Sequence, residues 1–381
     1  MKDNSYKKVI ASILKCNQDQ VFFYWKGRVA LYAILKAMGV QKDDEIILPA
    51  FTCVVVPNAI LYLGAKPIYV DISPENYNIN IDLLEKTITT RTKVIICQNT
   101  FGLSSNIEQM IQIAKRHNLF SIEDCTHGFS GYYNGNPNGS YCDAAFYSTQ
   151  WNKPFSTGIG GFLVVNNQEL INKIEQLEGK KIKPSLMDKT ILAFLLFFNR
   201  YFVNRYTYWT MIKFYRFLSK NNLIIGSNQG GELSGVKIPK DYFKDISSVQ
   251  VNAGIRQLKQ LDKVNKLRKN NALEYTQFLK DQNKTFVSEN LFDNHLFLKY
   301  PLLVKNRKLL LKLAEKEKIT LGDWFLSPLH PVEGSLKLWN LNSEFFPQGT
   351  SISKKIVNLP TDIEDNSKVL KFLTRNIKMI E

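Results

Sequence analysis

The stretch FYSTQWNKPFSTGIGGFLVV, residues 146–165, holds a single lysine among hydroxyl residues, glycines and a proline. Apolar residues lie at both ends, which predicts a sharp, irregular turn between two strands with Lys153 on the turn. Lysine is usually a solvated surface residue, so the simplest interpretation of Lys153 is an exposed side chain. The rest of the chain favours another interpretation, because it supplies groups that a lysine amine needs for chemistry.

Short apolar runs alternate with helical patterns on both sides of this turn. The predicted strands are 45–48, 66–72, 93–97, 120–124, 162–165 and 297–304. The predicted helices are 28–39, 106–118, 248–280, 306–318 and a closing helix from about residue 366. The alternation of strand and helix in the first half predicts an α/β fold with a mostly parallel sheet flanked by helices.

The length of 381 residues is sufficient for two domains. We predict a large domain over residues 1–247 and a smaller C-terminal α+β domain over residues 248–381. Parallel sheets of this kind bind ligands beyond the carboxyl ends of their strands. The groups that follow the predicted strands are therefore the candidates for function.

The charge and the cysteines restrict the class of protein. Fifty basic and 34 acidic residues give a formal charge of +16, which indicates a lysine-rich surface or an anionic partner such as nucleic acid, lipid headgroups or a phosphorylated substrate. The five cysteines are odd in number and form no CxxC pair, which is typical of free thiols rather than of disulfides or a metal site. No signal-peptide pattern is present, so we expect a cytoplasmic protein.

An aromatic and aliphatic stretch covers residues 190–218, inside a longer section at about 183–240. Its longest unbroken apolar run, 191–198, is short of the roughly 20 residues that a membrane-spanning helix needs. Two hypotheses remain open for this stretch. It forms a buried helical pair or subunit contact, or it forms a peripheral contact with the inner membrane surface, where aromatic and basic residues mix.

Several groups around the predicted sheet suit a lysine amine. Asp124 ends the strand 120–124, where a buried carboxylate needs a cationic partner, and His127 follows three positions later. Gly27 stands where the first predicted helix begins, and the N-terminus of a helix offers backbone N–H groups to a phosphate. Pyridoxal 5′-phosphate (PLP) requires a lysine for its aldehyde, an acid for its ring nitrogen and donors for its phosphate. The chain lacks the GxxxxGK[ST], GxGxxG, GxSxG and HExxH motifs.

Four segments, in this order, resemble motifs of the DegT/DnrJ/EryC1/StrS family of sugar aminotransferases. They are DDEIILPAFTCVVVPNAILYLGAKPIYVDI (43–72), IEDCTHGFSG (122–131), FYSTQWNKPFSTGIGG (146–161) and FFPQGTSISKKIVNLP (345–360). The resemblance covers most of the chain and is weakest at 183–240. It implies PLP fold type I, the aspartate aminotransferase-like fold, with PLP as cofactor.

The resemblance implies a role for each matching residue nearest the cofactor ring. Lys153 would bind the PLP aldehyde covalently and carry a proton between substrate and cofactor. Asp124 would hold the proton of the ring nitrogen. His127 would lie near the phenolic oxygen of the cofactor.

Other matching residues would surround the cofactor phosphate and the substrate. Ser148, Gly27 and Arg28 would bind the phosphate, with the Arg28 guanidinium able to add a charge-assisted contact. Cys53 stands where many members of the family stack an aromatic ring on the cofactor. His330, in SPLHPVEG, matches a position that can line the substrate pocket, and a surface loop histidine is the alternative.

The implied reaction is transfer of an amino group from an amino acid, expected to be glutamate, to a nucleotide-linked keto-sugar. The product would serve the biosynthesis of a cell-surface polysaccharide or lipopolysaccharide. The resemblance also implies a homodimer, and we expect no nucleic-acid partner. The alternatives are a PLP-dependent sugar dehydratase or lyase, and a non-catalytic, membrane-associated member of the family. Some dehydratase relatives carry histidine in place of the lysine, so Lys153 argues against that branch.

Overall fold

The computed structural model describes residues 2–104, 106–203, 207–220, 232–233 and 235–381. Within them the α-helices are α1 (Lys2–Leu14), α2 (Gly27–Ala37), α3 (Val55–Leu61), α4 (Ile81–Leu84), α5 (Ile107–Arg116), α6 (Gln168–Glu178), α7 (Leu186–Phe202), α8 (Tyr208–Lys220), α9 (Ser248–Leu258), α10 (Leu261–Asp281), α11 (Arg307–Lys316), α12 (Pro347–Lys355) and α13 (Ser367–Arg375). The strands are β1 (Val21–Tyr24), β2 (Glu45–Pro49), β3 (Thr52–Cys53), β4 (Lys66–Val70), β5 (Thr92–Gln98), β6 (Phe120–Asp124), β7 (Tyr132–Tyr133), β8 (Asn136–Pro137), β9 (Ala144–Ser148), β10 (Gly161–Val165), β11 (Tyr300–Leu303), β12 (Leu329–His330) and β13 (Ile356–Leu359).

The main sheet has seven strands in the order β1-β10-β9-β6-β5-β2-β4. The five strands from β9 to β4 are parallel, and β10 runs antiparallel to both β9 and β1. β1 therefore points in the same direction as the parallel strands. The carboxyl ends of β1, β2, β5, β6 and β9 all meet at one side of the sheet, which we call the carboxyl edge.

Helices cover both faces of this sheet because both faces of its strands are apolar. Ile46 and Leu48 of β2 pack in the same cluster as α2, whereas Ile47 between them packs in the cluster that contains α5. Successive side chains of a strand point to opposite faces, so a run without polar residues needs cover on both sides. The predicted α/β class is confirmed, and the predicted strands are present with their ends shifted by a few residues.

One predicted helix is wrong. The pattern at 248–280 predicts a single helix, but the chain forms α9 and α10 with a break at residues 259–260. Leu258 and Leu261 flank the break and pack in the same apolar cluster. The apolar period therefore continues across the break, and the sequence pattern alone does not reveal it.

The C-terminal part builds a separate apolar cluster around the antiparallel pair β11–β13, with α10, α11 and α13 against it. It combines helices with an antiparallel strand pair, which is an α+β arrangement. Helix α10 contributes to both parts, since Leu261 packs with α1 and Ala272 packs with the C-terminal strands. The predicted boundary after residue 247 stays a prediction.

The aromatic stretch 190–218 lies mainly on α7 and α8, and its residues 204–206 are outside the described part of the chain. Among the described residues, no helix has the length and apolar character that crossing a bilayer requires. Phe194, Phe197 and Phe214 each expose more than half of their surface. The helical pair is therefore not buried within its own chain.

Candidate active site

The predicted site residues gather at the carboxyl edge because the strands before them point the same way. Gly27 follows β1, Cys53 follows β2, Asp124 ends β6 and Ser148 ends β9. Lys153 lies on the turn that leaves β9. Strand direction thus brings together residues that are far apart in sequence.

A glycine lets the N-terminus of α2 approach β9 closely. A Cβ on Gly27 would lie 2.9 Å from the main-chain oxygen of Tyr147 and 3.0 Å from Cβ of Ser148, which is too close for a side chain. The first backbone N–H groups of α2 therefore lie beside Ser148. The first N–H groups of a helix have no partner within it, and with a neighbouring hydroxyl they form a suitable seat for phosphate.

The turn that carries Lys153 is held by threonines and an asparagine. The hydroxyls of Thr149 and Thr157 lie 2.6 Å apart, and the Thr157 N–H donates to the main-chain oxygen of Thr149 at 2.7 Å. Asn152 adopts φ 64°, a left-handed conformation that asparagine tolerates better than most residues. The hydroxyl residues in the quoted stretch therefore fix the turn from which the amine projects.

The Lys153 amine lies in a partly buried, mixed electrostatic setting. Its Nζ is 4.8 Å from the centre of the Trp324 ring. Burial lowers the pKa of Lys153 to about 8, although nearby Cys53 and Asp124 act in the opposite direction. A much larger share of this amine is unprotonated near neutral pH than of an ordinary lysine, whose pKa is about 10.4.

Asp124 and its neighbour Glu123 point to opposite faces of β6 and have different surroundings. Asp124 is buried, its Oδ1 accepts the Thr126 N–H at 2.9 Å, and burial raises its pKa against the opposing effect of Thr126 and Lys153. Glu123 accepts from Asn99 at 2.9 Å and from the Gly139 N–H at 2.7 Å. The Glu123 carboxylate is therefore hydrogen-bonded within the protein interior, and Asp124 is the acidic residue near the Lys153 amine.

His127 is a buried, neutral histidine within an aromatic stack. Its ring lies 4.8 Å from the Trp324 ring and nearly parallel to it. Its Nδ1 accepts the Phe101 N–H at 3.2 Å, and burial holds its pKa well below the usual range. Nε2 must then carry the hydrogen, so this atom is a donor for an oxygen at the site.

Cys53 and His330 are neighbours across a short parallel pair, β3–β12. The Val54 N–H donates to the main-chain oxygen of His330 at 2.9 Å, and the Leu326 N–H donates to Nδ1 of His330 at 3.3 Å. The sequence left His330 open between a pocket and a surface loop. The structure puts it beside Cys53, so the C-terminal part contributes to the same edge.

Two residues near the site were missed by the sequence analysis. Trp324 contacts both the amine of Lys153 and the ring of His127. Glu232, from the 183–240 section, forms a buried ion pair with Arg28. The backbone N–H groups of α2, rather than the Arg28 guanidinium, are therefore the donors that this geometry offers to a phosphate.

The residues present fit PLP. The site combines a partly unprotonated amine, a buried carboxylate, a neutral imidazole donor and a helix N-terminus beside a serine hydroxyl. These are the groups that PLP requires at its aldehyde, ring nitrogen, phenolic oxygen and phosphate. Within the described residues, no group of three or more histidine, cysteine or acidic side chains is arranged to hold a metal ion.

Comparison with known proteins gives a family and two kinds of relative. The model of the DegT/DnrJ/EryC1/StrS aminotransferase family matches residues 19–191 and 242–370. GDP-perosamine synthase of Escherichia coli O157:H7 is 38% identical over 154 residues, which are 40% of this chain and 42% of that protein. UDP-2-acetamido-2-deoxy-3-oxo-D-glucuronate aminotransferase of Pseudomonas aeruginosa is 37% identical over 152 residues, again 40% and 42%. The chain matches less than half the length of these curated relatives.

Solved structures share the fold. The crystal structure of a DegT DnrJ EryC1 StrS aminotransferase from Brucella abortus superposes with a TM-score of 0.75 at 21% identity, over 98% of this chain and 90% of that one. At this identity the likeness concerns the fold alone. It confirms the fold predicted from the sequence, PLP fold type I.

Proposed function

The chain belongs to the DegT/DnrJ/EryC1/StrS aminotransferase family, and we propose that it is a PLP-dependent aminotransferase acting on a nucleotide-linked keto-sugar. The observation that carries the proposal is a lysine with a pKa lowered to about 8, near a buried aspartate at the carboxyl edge. The names of the two curated relatives, which include a GDP-sugar and a UDP-sugar, support a nucleotide-sugar substrate.

Five residues of this chain would hold the cofactor. The N–H groups of Gly27 and Arg28 and the hydroxyl of Ser148 would bind its phosphate, and Asp124 would pair with its ring nitrogen. Lys153 would bind its aldehyde. Bound PLP supplies an electron sink for the α carbon of an amino acid.

The side chains then divide the proton chemistry. Lys153, with a pKa of about 8, can take a proton at Nζ and return it at neutral pH. Asp124 accepts the Thr126 N–H, which favours its charged form and so its pairing with a protonated ring nitrogen. His127 donates from Nε2 as a neutral ring. Cys53 would pack against the cofactor ring, and His330 would line the substrate side of the site.

The finer parts of the proposal concern substrates and setting. We propose glutamate as amino donor and an aminated nucleotide sugar as product, used for a cell-surface polysaccharide or lipopolysaccharide. A net charge of +16 favours a substrate that carries a diphosphate. A homodimer remains the expectation from the family resemblance, and a cytoplasmic location remains the expectation from the sequence pattern.

The test is to incubate the purified protein with PLP, reduce it with borohydride and locate the modified peptide by mass spectrometry. We expect the label on Lys153 and none in Lys153→Arg, which keeps the charge but cannot condense with the aldehyde. Addition of glutamate before reduction should convert the bound PLP to pyridoxamine phosphate. Label elsewhere, or no label, would contradict the proposal, whereas label on Lys153 without conversion by any amino donor would favour the lyase alternative.

A further inference from the structure

Helix α7 packs against the protein on one side and is exposed to solvent on the other. Leu192 and Leu196, four residues apart, pack on Trp25 and Ile159, next to the lysine turn. Phe194, Phe197 and Tyr201 recur at spacings of three and four on the opposite side. Phe194 is 61% exposed and Phe197 is 55% exposed, so this side forms an aromatic surface.

Helix α8, which follows α7 along the chain, also exposes aromatic rings. Phe214 and Phe217 of α8 are each more than half exposed. Together with exposed residues of α7 they form what we call the aromatic face, comprising Met187, Phe194, Phe197, Tyr201, Phe202, Phe214 and Phe217. Isolated exposed aromatics are common, but a row of them along one side of α7, with two more on the next helix, marks an interaction surface.

The charged residues in the segment that carries the aromatic face are mostly basic, and one of them, Lys213, pairs with Glu315 of α11. Residues 183–220 contain seven lysines and arginines and a single acidic residue, Asp188. Asp188 is turned towards the protein, where its carboxylate lies 3.0 Å from Nζ of Lys244. Arg200 is exposed beside the Tyr201 ring, with the guanidinium carbon 5.4 Å from the ring centre. The partner of this face is therefore expected to be apolar at its centre and negative at its edge.

We propose that the aromatic face binds the surface of an anionic lipid bilayer, with its rings among the headgroups and acyl-chain ends. Aromatic rings combined with lysines and arginines are typical of helices that lie in this interface. A second copy of the chain fits less well, because a two-fold contact would bring two sets of like charges together. The family model does not match residues 192–241, which carry most of the face. The proposal is independent of the proposed aminotransferase activity.

The experiment is sedimentation of the full chain with vesicles of phosphatidylcholine, with or without an equal part of phosphatidylglycerol. We expect binding to the anionic vesicles that weakens in raised salt, and little binding to phosphatidylcholine alone. The double variant Phe194→Ser with Phe197→Ser should bind at least about tenfold more weakly. Phe345→Ser is the matched control, because Phe345 is 75% exposed but lies far along the chain in a short C-terminal turn.

A second variant tests the proposal even if the double phenylalanine variant misfolds. Arg200→Glu alters an exposed side chain, so it should keep the wild-type circular dichroism spectrum while losing preference for anionic vesicles. The proposal would be overturned if the wild-type protein did not bind anionic vesicles, or if the double variant bound them as well as the wild type does. A double variant that lowers the solution mass, with no vesicle binding by wild type, would also overturn it and assign the face to a second copy.

Discussion

At the residue scale, the most informative group is the Lys153 amine, whose pKa is lowered to about 8 by burial. At pH 8 about half of it is unprotonated, against less than about 1% for an ordinary lysine. We predict that an amine-specific acylating reagent labels Lys153 of the cofactor-free protein with a midpoint near pH 8. Quantitative mass spectrometry of labelled peptides between about pH 6 and pH 10 measures it.

Asp124→Asn provides the control for that titration. The Asp124 charge raises the pKa of Lys153, so its removal should move the labelling midpoint to lower pH. A wild-type labelling midpoint near pH 10 would show that the amine is solvated. A midpoint that does not move in Asp124→Asn would show that the amine is distant from Asp124.

Asp124→Asn should also separate stability from function. Burial raises the pKa of Asp124, so its charge at neutral pH costs the folded protein free energy, and asparagine keeps the oxygen that accepts the Thr126 N–H. The cofactor-free variant should therefore melt no lower than wild type at pH 7, and the difference should shrink as the pH falls and the wild-type carboxyl becomes protonated. PLP retention should weaken, with amino transfer reduced about 100-fold or more. A large loss of melting temperature would instead mean that Asp124 is a structural residue.

The sequence predicts which residues share the carboxyl edge where a local motif carries them, and their roles stay predictions. Lys153, Asp124 and Gly27 each stand in a short segment whose neighbours restrict its structure, and the structure brings them to one edge. The Arg28–Glu232 contact joins residues 204 positions apart, and Trp324 meets His127 from another part of the chain. No periodicity or spacing encodes such contacts, because they depend on how the folded elements approach one another.

At the scale of elements, the approach of α2 to the strand pair β9–β10 depends on glycine. A Cβ on Gly161 would lie 2.2 Å from the backbone nitrogen of Gly27, and backbone cannot rotate away as a flexible side chain does. We predict that Gly161→Ala costs about 3 kcal/mol of unfolding free energy. Gly179→Ala is the control, since nothing lies within 4 Å of its Cβ and its φ is −64°. It should be neutral or stabilise by about 0.4–1 kcal/mol.

Urea-induced unfolding measures the stability of both glycine variants. Their midpoint urea concentrations should differ, while the dependence of the unfolding free energy on urea concentration stays the same. Equal midpoints for the two alanine variants would mean that α2 can withdraw from the sheet at little cost. In that case the close approach of α2 to the sheet would no longer be an argument for a phosphate-binding site at Gly27.

The hydrophobic pattern of a sequence reports which residues are buried. This explains both why the strands of the central sheet are predicted and why the break before α10 is not. Strands buried on both faces form unbroken apolar runs, so their positions are visible in the sequence. The break at residues 259–260 interrupts the backbone hydrogen bonds but not the burial of Leu258 and Leu261. Hydrophobic pattern records burial, and backbone continuity is a separate property.

At the scale of the whole molecule, the Arg28–Glu232 ion pair ties the 183–240 section to the N-terminus of α2. Both side chains are almost fully buried, so the loss of one partner leaves a charge without compensation. We predict that Glu232→Met or Arg28→Met alone costs about 3–5 kcal/mol of unfolding free energy, while the double variant Arg28→Met with Glu232→Met costs clearly less than the sum of the two. Urea unfolding of the three proteins measures it, and additive costs would show that the pair is not coupled.

This ion pair also restricts how the gene can be recombined. A chimera that replaces residues 192–241 with the corresponding segment of another protein would lose Glu232 and leave the guanidinium at position 28 without this counter-charge. The reciprocal graft would bury the carboxylate of position 232 without compensation unless the recipient also received the arginine. The arginine and the glutamate, although more than 200 positions apart, must therefore be exchanged together as one cassette.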